Sequence, residues 1–230
     1  MKNILLIGGS TGIGYELSQK LKKDNNLFIA TRDKEKFNDT NIKTNDLNLD
    51  NEFETDWLPD QIDGFVYLPG TINLRPFKGL KPSVFLEDFN INVMGCIEIL
   101  QKVLPKIQAA ENASIVMFST VAVKVGMPFH SSVSSSKGAI EGLTRALAAE
   151  FAPKIRVNAI APSILETPMS EKFLNSETKL DNAKNRHPLK EIGSADDVSE
   201  VVKFLLENNS KWVTGQIISI DGGMSSVKTN

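Results

Sequence analysis

Three stretches of this 230-residue chain combine residue types and spacing that could do chemistry. The first, Gly8-Gly9-Ser10-Thr11-Gly12-Ile13-Gly14, follows the apolar run Ile4-Leu5-Leu6-Ile7 and precedes a helical pattern. A turn between a parallel strand and a helix points backbone N–H groups outward, and the helix dipole adds partial positive charge where phosphates can sit. Glycines there permit positive φ and let a pyrophosphate reach the backbone with no Cβ in the way. At the first strand-to-helix junction of a βαβ unit, such a turn reads as a dinucleotide site. A tight turn with no ligand is the plain alternative. No Gly-Lys-Ser/Thr ending follows, which argues against a P-loop.

The second stretch is Ile29-Ala30-Thr31-Arg32, the end of a second apolar run. In dinucleotide folds an acidic residue here holds the adenosine ribose hydroxyls, whereas a basic one accommodates a 2′-phosphate. Thr31 is neutral and Arg32 can form a charge-assisted fork onto phosphate, so NADP(H) is expected in preference to NAD(H). Pairing of Arg32 with Asp33 or Glu35 in solvent is the alternative. Asp46-Leu47, after the third apolar run, is placed beside the adenine.

The third stretch is His130-Ser131-Ser132-Val133-Ser134-Ser135-Ser136-Lys137. Ser134 to Lys137 matches the Ser-x-x-Lys of serine acyl-transfer enzymes, but the companion Ser-Asp-Asn and Lys-Thr-Gly segments are missing. His130 stands at the entrance of the helix carrying Lys137, and histidine titrates near neutral pH. A loop histidine without a catalytic contact is the bland reading, and it is stronger still for His187 before Pro188. No metal-ligand cluster is read from the chain.

These residues need a frame. Apolar runs at Asn3–Ile7, Leu27–Ala30, Ile42–Asp46, Gly64–Leu68, Ser114–Ser119, Arg156–Ile160 and Gln216–Ile220 read as strands. Helical patterns lie between them at 13–23, 83–109, 132–151 and 195–208, with weaker ones at 51–57 and 168–180. The alternation predicts an α/β fold: one Rossmann domain over 1–230, a doubly wound parallel sheet of about seven strands with helices on both faces. Leu165–His187 is the most polar and least patterned segment, which makes about 165–190 the expected substrate lid.

Composition narrows the function classes. With 41% hydrophobic and 23% charged residues the chain is not disordered, and its net charge of −2 gives no electrostatic footprint for nucleic acid. No stretch approaches the roughly 18 apolar residues of a membrane span, so no membrane partner is expected. The single cysteine, Cys96, cannot form an internal disulfide, and Ile4–Ile7 is too short for a signal-peptide core. A cytoplasmic location is the expectation.

In order and spacing, several segments resemble the classical short-chain dehydrogenases/reductases, particularly their 3-oxoacyl-carrier-protein-reductase-like members. They are Gly8–Gly14, Asn90-Ile91-Asn92-Val93-Met94-Gly95, Ile115–Thr120, Ser136-Lys137-Gly138-Ala139, Ile155–Pro162, Thr214-Gly215-Gln216 and Asp221-Gly222-Gly223. The resemblance implies a carbonyl/alcohol oxidoreductase of small molecules. A Tyr transfers the hydroxyl proton, a Ser orients the carbonyl, a Lys four residues after the Tyr lowers its pKa and binds the nicotinamide ribose, and an Asn positions a relay water. The physical need is that hydride transfer builds alkoxide charge, which a positioned acid and hydrogen-bond donors must meet.

Carried onto this chain, the resemblance assigns Lys137 and Asn92 and places Thr120 at the Ser position, while the Tyr position is occupied by Val133. The only tyrosines are Tyr15, inside the first helix, and Tyr67, at the end of the fourth strand. Tyr67-Leu68-Pro69-Gly70 stands where the family has Asn-Asn-Ala-Gly, with Leu68 and Gly70 as cofactor contacts, and Ser163 replaces a Gly. Backbone groups at Ile164 and Leu165 and the Thr167 hydroxyl would hold the nicotinamide carboxamide, directing hydride from the pro-S side. Thr167 could equally cap the following helix.

Valine has no ionisable proton. One reading is therefore a reductase with an atypical proton donor, for which His130 is the first candidate and Ser131, Ser132 and Ser134 offer further hydroxyls. Another is an NADP(H)-binding pseudoenzyme, a sensor or scaffold. Small residues at Ser136, Ala139, Gly142, Ala146 and Ala149, on the helix that builds a dimer face in the family, imply a homo-dimer or homo-tetramer. Phe77, Phe85 and Phe89 could line the substrate entrance or pack inside.

Overall fold

Runs such as Ile4-Leu5-Leu6-Ile7 can be buried on both faces only in a sheet that helices cover on two sides. That is their arrangement in the computed structural model, which describes residues 1–228. Seven strands form the main sheet: β1 (Lys2–Ile7), β2 (Asn25–Thr31), β3 (Ile42–Asp46), β4 (Gly64–Tyr67), β5 (Ala113–Phe118), β6 (Ile155–Pro162) and β9 (Ile217–Ile220). All neighbours pair parallel, in the order β3-β2-β1-β4-β5-β6-β9. A second, two-stranded sheet joins β7 (Leu165–Glu166) to β8 (Gly193–Ser194).

Alternate side chains of each strand enter opposite cores. Leu5 and Ile7 of β1, with Phe65 and Tyr67 of β4, pack against α3 (Gly95–Gln108) through Ile99, Val103 and Ile107, and against Ile140 of α5 (Ser131–Phe151). Ile4 and Leu6 pack the other way, with Leu17 and Leu21 of α1 (Gly12–Leu21) and Val198, Val202 and Leu205 of α8 (Ala195–Leu206). Each fully buried Leu or Ile contributes about 1.5–3 kcal/mol relative to exposure. Helix α8 starts at a capping box in which the Ser194 hydroxyl and the Asp197 carboxylate satisfy each other's backbone N–H groups. The remaining helices are α2 (Pro82–Phe89), α4 (Val121–Val125), α6 (Glu171–Leu174) and α7 (Glu177–Asn185).

Three elements differ from the sequence pattern. The single helix expected over 83–109 is α2 and α3 joined by a π turn, Asn90–Met94. The wider turn frees the Ile91 carbonyl, which accepts the Tyr67 hydroxyl at 2.6 Å. A Cβ at Gly95 would stand 2.7 Å from that hydroxyl, so only glycine lets β4 and the turn approach. No helix forms at 51–57. Phe53 and Trp57 pack there individually onto the core, while local turns close through Trp57 Nε1 to the Glu54 carbonyl (3.0 Å) and Leu58 N to the Thr55 carbonyl (3.1 Å). The 168–180 pattern divides into α6 and α7, because the Ser176 hydroxyl starts a new helix by accepting from Lys179 N.

The strand order reverses between β1 and β4. Ligands of open α/β sheets bind at such a switch point, outside the carboxyl ends of the strands. Gly8–Gly14 follows β1 and Leu68–Gly70 follows β4, so both stretches border that crevice.

Candidate functional site

The floor of the crevice is backbone. Gly8, Gly9 and Gly12 hold φ of +80°, +140° and +53°, conformations that side-chain-bearing residues rarely adopt. Gly14 is needed for a different reason: a Cβ there would lie 2.5 Å from Gly9 Cα and 3.0 Å from Leu68 Cδ1. Its absence lets α1 sit against the turn and against β4. Thr11 precedes α1 in an extended conformation and makes no side-chain cap bond, and the first turn carries no acidic residue. The N–H groups of that turn therefore face the crevice without a side-chain acceptor of their own, as an anion site requires. Ser10 and Ile13 are half-buried in the same turn.

Beyond the turn lies a basic rim. Arg32 is exposed at the end of β2 and forms no salt bridge among the described residues. Asp33 pairs instead with Lys36 at 3.3 Å, and the Lys36 ammonium also reaches the Ser10 carbonyl at 3.0 Å. Lys36 joins the nucleotide end, which sequence reasoning missed; its signal was a third cation two residues beyond Lys34. Asp46 is exposed and held by Lys34 at 2.8 Å, and Leu47 is tied to the end of β2 by its N–H on the Thr31 carbonyl at 3.1 Å.

The other side of the crevice is made of side chains. Helix α5 carries Val133 and Lys137 one turn apart, both buried. Lys137 is only 7% exposed, and its Nζ lies 3.5 Å from where a Cβ on Gly70 would be. Asn92 Oδ1 lies 3.1 Å from the same point, so Gly70, Asn92 and Lys137 converge. The Asn92 amide donates to Thr71 Oγ1 at 2.9 Å and to the Asp88 carbonyl at 2.7 Å, which leaves Oδ1 buried and without a protein partner. Burial pushes the Lys137 ammonium down to about 8, against smaller opposing effects of Cys96 and Asp88. The Cys96 thiol is pushed up to about 12 by burial.

Thr120 stands at the carboxyl end of β5, where its Oγ1 caps α4 by accepting from Ala122 N at 3.3 Å. The hydroxyl proton remains available. Its neighbour Ser119 donates to Glu141 of α5 at 2.8 Å. Thr167 covers the glycine turn, with Cγ2 3.5 Å from the position of a Cβ on Gly12. It does not cap the next helix: Ser170 precedes α6 and bonds the Leu165 and Thr167 carbonyls. Leu165 is buried in β7, and Ile164 is half-buried just before it.

The two histidines are held locally. His130 Nδ1 is bonded to the Pro128 carbonyl at 2.8 Å, leaving Nε2 free at the mouth of α5. His187 is buried, with Nδ1 on the Ala183 carbonyl and Nε2 on Ser163 Oγ, both at 2.8 Å, and so joins α7 to the loop after β6. Phe77 and Phe85 meet edge-on with centroids 6.3 Å apart; Phe77 is exposed, while Phe89 is half-exposed.

Comparison with known proteins decides the lineage of this crevice. Residues 9–225 match the family model described as Enoyl-(Acyl carrier protein) reductase. The chain belongs to the classical short-chain dehydrogenase/reductase family. It is similar to 3-oxoacyl-acyl-carrier-protein reductase FabG of Thermotoga maritima, 40% identical over 136 residues, 59% of this chain and 54% of that protein. The matched stretch thus spans about half the length of that relative. A tropinone reductase homologue of Arabidopsis thaliana is 28% identical over 97% of this chain and 92% of its own. The solved structure of ElxO with NADP bound superposes at a TM-score of 0.87, with 28% identity over 98% of this chain and 99% of that one.

Neither tyrosine of this short-chain dehydrogenase/reductase stands on α5 beside Lys137. Tyr67 is buried with its hydroxyl on the Ile91 carbonyl, and burial raises its pKa above the usual phenol value. Tyr15 lies on α1 and packs against Phe37 at 6.2 Å between centroids. Among the described residues no helix is long and apolar enough to cross a membrane.

Proposed function

We propose that the protein is an NADP(H)-dependent oxidoreductase of carbonyl/alcohol pairs, with a proton donor other than tyrosine. One observation carries this reading: Lys137 Nζ and Asn92 Oδ1 converge on Gly70, at the switch point that the glycine turn borders. When bound, the cofactor supplies or accepts the hydride. The residues do the rest. N–H groups from Ser10 to Gly14 hold the pyrophosphate, with Gly8 giving the turn its shape. Arg32 and Lys36 take the 2′-phosphate, Asp46 and Leu47 flank the adenine, and Leu68 and Gly70 line the path to the nicotinamide. Ile164, Leu165 and Thr167 hold the carboxamide.

At the reacting oxygen, the Thr120 hydroxyl donates a hydrogen bond and the Lys137 ammonium delivers the proton through a water anchored on Asn92 Oδ1. A lysine titrating at about 8 is charged at neutral pH and acidic enough to give its proton up. His130 Nε2, at the mouth of α5, is the entry point for protons from solvent. Residues 165–190, with α6 and α7, form the lid over a small-molecule substrate. A homo-dimer or homo-tetramer through α5 is supported by Gly142, where an added Cβ would meet nothing within 4 Å. A cytoplasmic setting goes with the lone buried thiol of Cys96.

A second reading, cofactor binding without turnover, draws on Val133, an aliphatic side chain where the family resemblance implies the acid. Titration with NADPH and NADH, followed by a panel of carbonyl substrates, separates the two. Tight NADPH binding with oxidation on any substrate supports the reductase. Tight binding without oxidation supports the sensor or scaffold, and no binding removes both.

A further inference from the structure

Asp88 is a carboxylate in a place where burial alone would forbid one. It is fully buried on α2, yet three side chains donate to it: Thr71 Oγ1 at 2.5 Å and Asn73 Nδ2 at 2.7 Å to Oδ1, and Ser132 Oγ at 2.5 Å to Oδ2. An ionised carboxylate only accepts, so both hydroxyls must point their protons at it. Thr71 Oγ1 is then left with lone pairs alone, and it accepts from Asn92 Nδ2 at 2.9 Å. The second N–H of that amide goes to the Asp88 carbonyl at 2.7 Å. Direction therefore runs one way along the chain, and Asn92 Oδ1 must face Gly70 and Lys137, where it has no protein partner.

The same carboxylate settles a charge question. A lone ammonium buried among apolar side chains sheds its proton. Two groups oppose the effect of burial on Lys137 electrostatically, the Cys96 thiol of α3 and, more weakly, Asp88 of α2. Burial pushes that thiol up to about 12, whereas the three donors on its oxygens suit Asp88 as the anion. We propose that Asp88 is a positioning residue: through Thr71 it turns the Asn92 carbonyl oxygen towards Lys137, and its charge keeps the Lys137 ammonium protonated in the closed interior. Ser132, next to Val133, and Asn73 hold that carboxylate in register. The arrangement links α2, the loop after β4, the π turn and α5 into one proton-handling unit.

The kinetic arm of the test rests on the reductase reading; the spectroscopic arm does not. The full chain is labelled with 13C at lysine Cε and titrated by NMR, the Lys137 signal being identified by its loss in Lys137→Met. Asp88→Asn preserves shape and removes the charge, and the Lys137 midpoint is expected to fall by about one pH unit. An unchanged midpoint in a folded Asp88→Asn protein overturns the charge role, whether or not any substrate has been found. Thr71→Val cuts the chain and leaves both charges in place. It should lower kcat about tenfold at unchanged NADPH affinity, with recovery in Thr71→Ser. Full kcat in Thr71→Val overturns the orienting role, and this pair carries the test if Asp88→Asn does not fold. Absence of turnover in the wild type counts against the reductase reading, and the NMR midpoints then decide the proposal.

Discussion

The two walls of the crevice are built on different principles. The nucleotide side is seven consecutive residues, Gly8 to Gly14, whose donors are backbone N–H groups and whose side chains matter mainly by being small. The side proposed to handle protons is assembled from the loop after β4, α2, the π turn and α5, and its groups are side chains apart from the Asp88 carbonyl that holds Asn92. A backbone site tolerates drift in neighbouring side chains. A side-chain site can be rewired one residue at a time.

The sharpest way to break that contrast is Lys137→Met, which removes the charge and keeps the bulk. In the proposed mechanism kcat/KM should fall about a thousandfold while NADPH affinity falls far less, since one general acid is worth about 10²–10⁴-fold. The wild-type pH profile bears on the same group. Turnover should decline as pH rises through about 8, where the ammonium is lost. Stability moves oppositely. Lys137 is held below its ordinary 10.5, so between about 8 and 10.5 the unfolded chain binds the extra proton and this group's contribution to folding rises with pH. A flat profile across that window would take Lys137 out of the reaction.

Gly14→Ala attacks the other wall. Its Cβ would fall 2.5 Å from Gly9 Cα, and overpacking of about 2 kcal/mol should lower NADPH affinity about thirtyfold, with a lower melting temperature. Turnover at saturating cofactor should change little, and a collapse there would mean the walls are not separable. Arg32→Ala should weaken NADPH about tenfold more than NADH, the worth of a charged hydrogen bond; equal losses would remove the 2′-phosphate assignment. The smallest effect is expected of His130→Ala, a drop in turnover of about threefold with unchanged NADPH affinity. A hundredfold drop would move the proton donor from Lys137 to His130.

How much was legible beforehand follows the same division. All seven strands of the main sheet lie within about two residues of their sequence patterns, because strands covered on both faces are apolar almost throughout, the polar edge strand β3 excepted. Gly8–Gly14 was readable for the same reason of locality. The helix over 83–109 was readable as helix, but not the π turn within it, which depends on a hydroxyl arriving from β4. Lys36 gave little signal, since its relation to Ser10 comes from the fold of the β2–β3 loop. Asp88 gave none: as one acidic residue in Leu86-Glu87-Asp88-Phe89, it reads as solvated until α5 closes over it.

Sequence by itself determined the parallel sheet, the long helices α1, α5 and α8 and the glycine turn after β1, because each follows from apolar periodicity or from glycines within one contiguous run. Tertiary structure alone decided the environment of Lys137 and Asn92. Burial, the direction of a hydrogen-bond chain and the nearness of a single carboxylate arise from segments up to 66 positions apart (Thr71 to Lys137). No local pattern encodes that distance; only packing closes it.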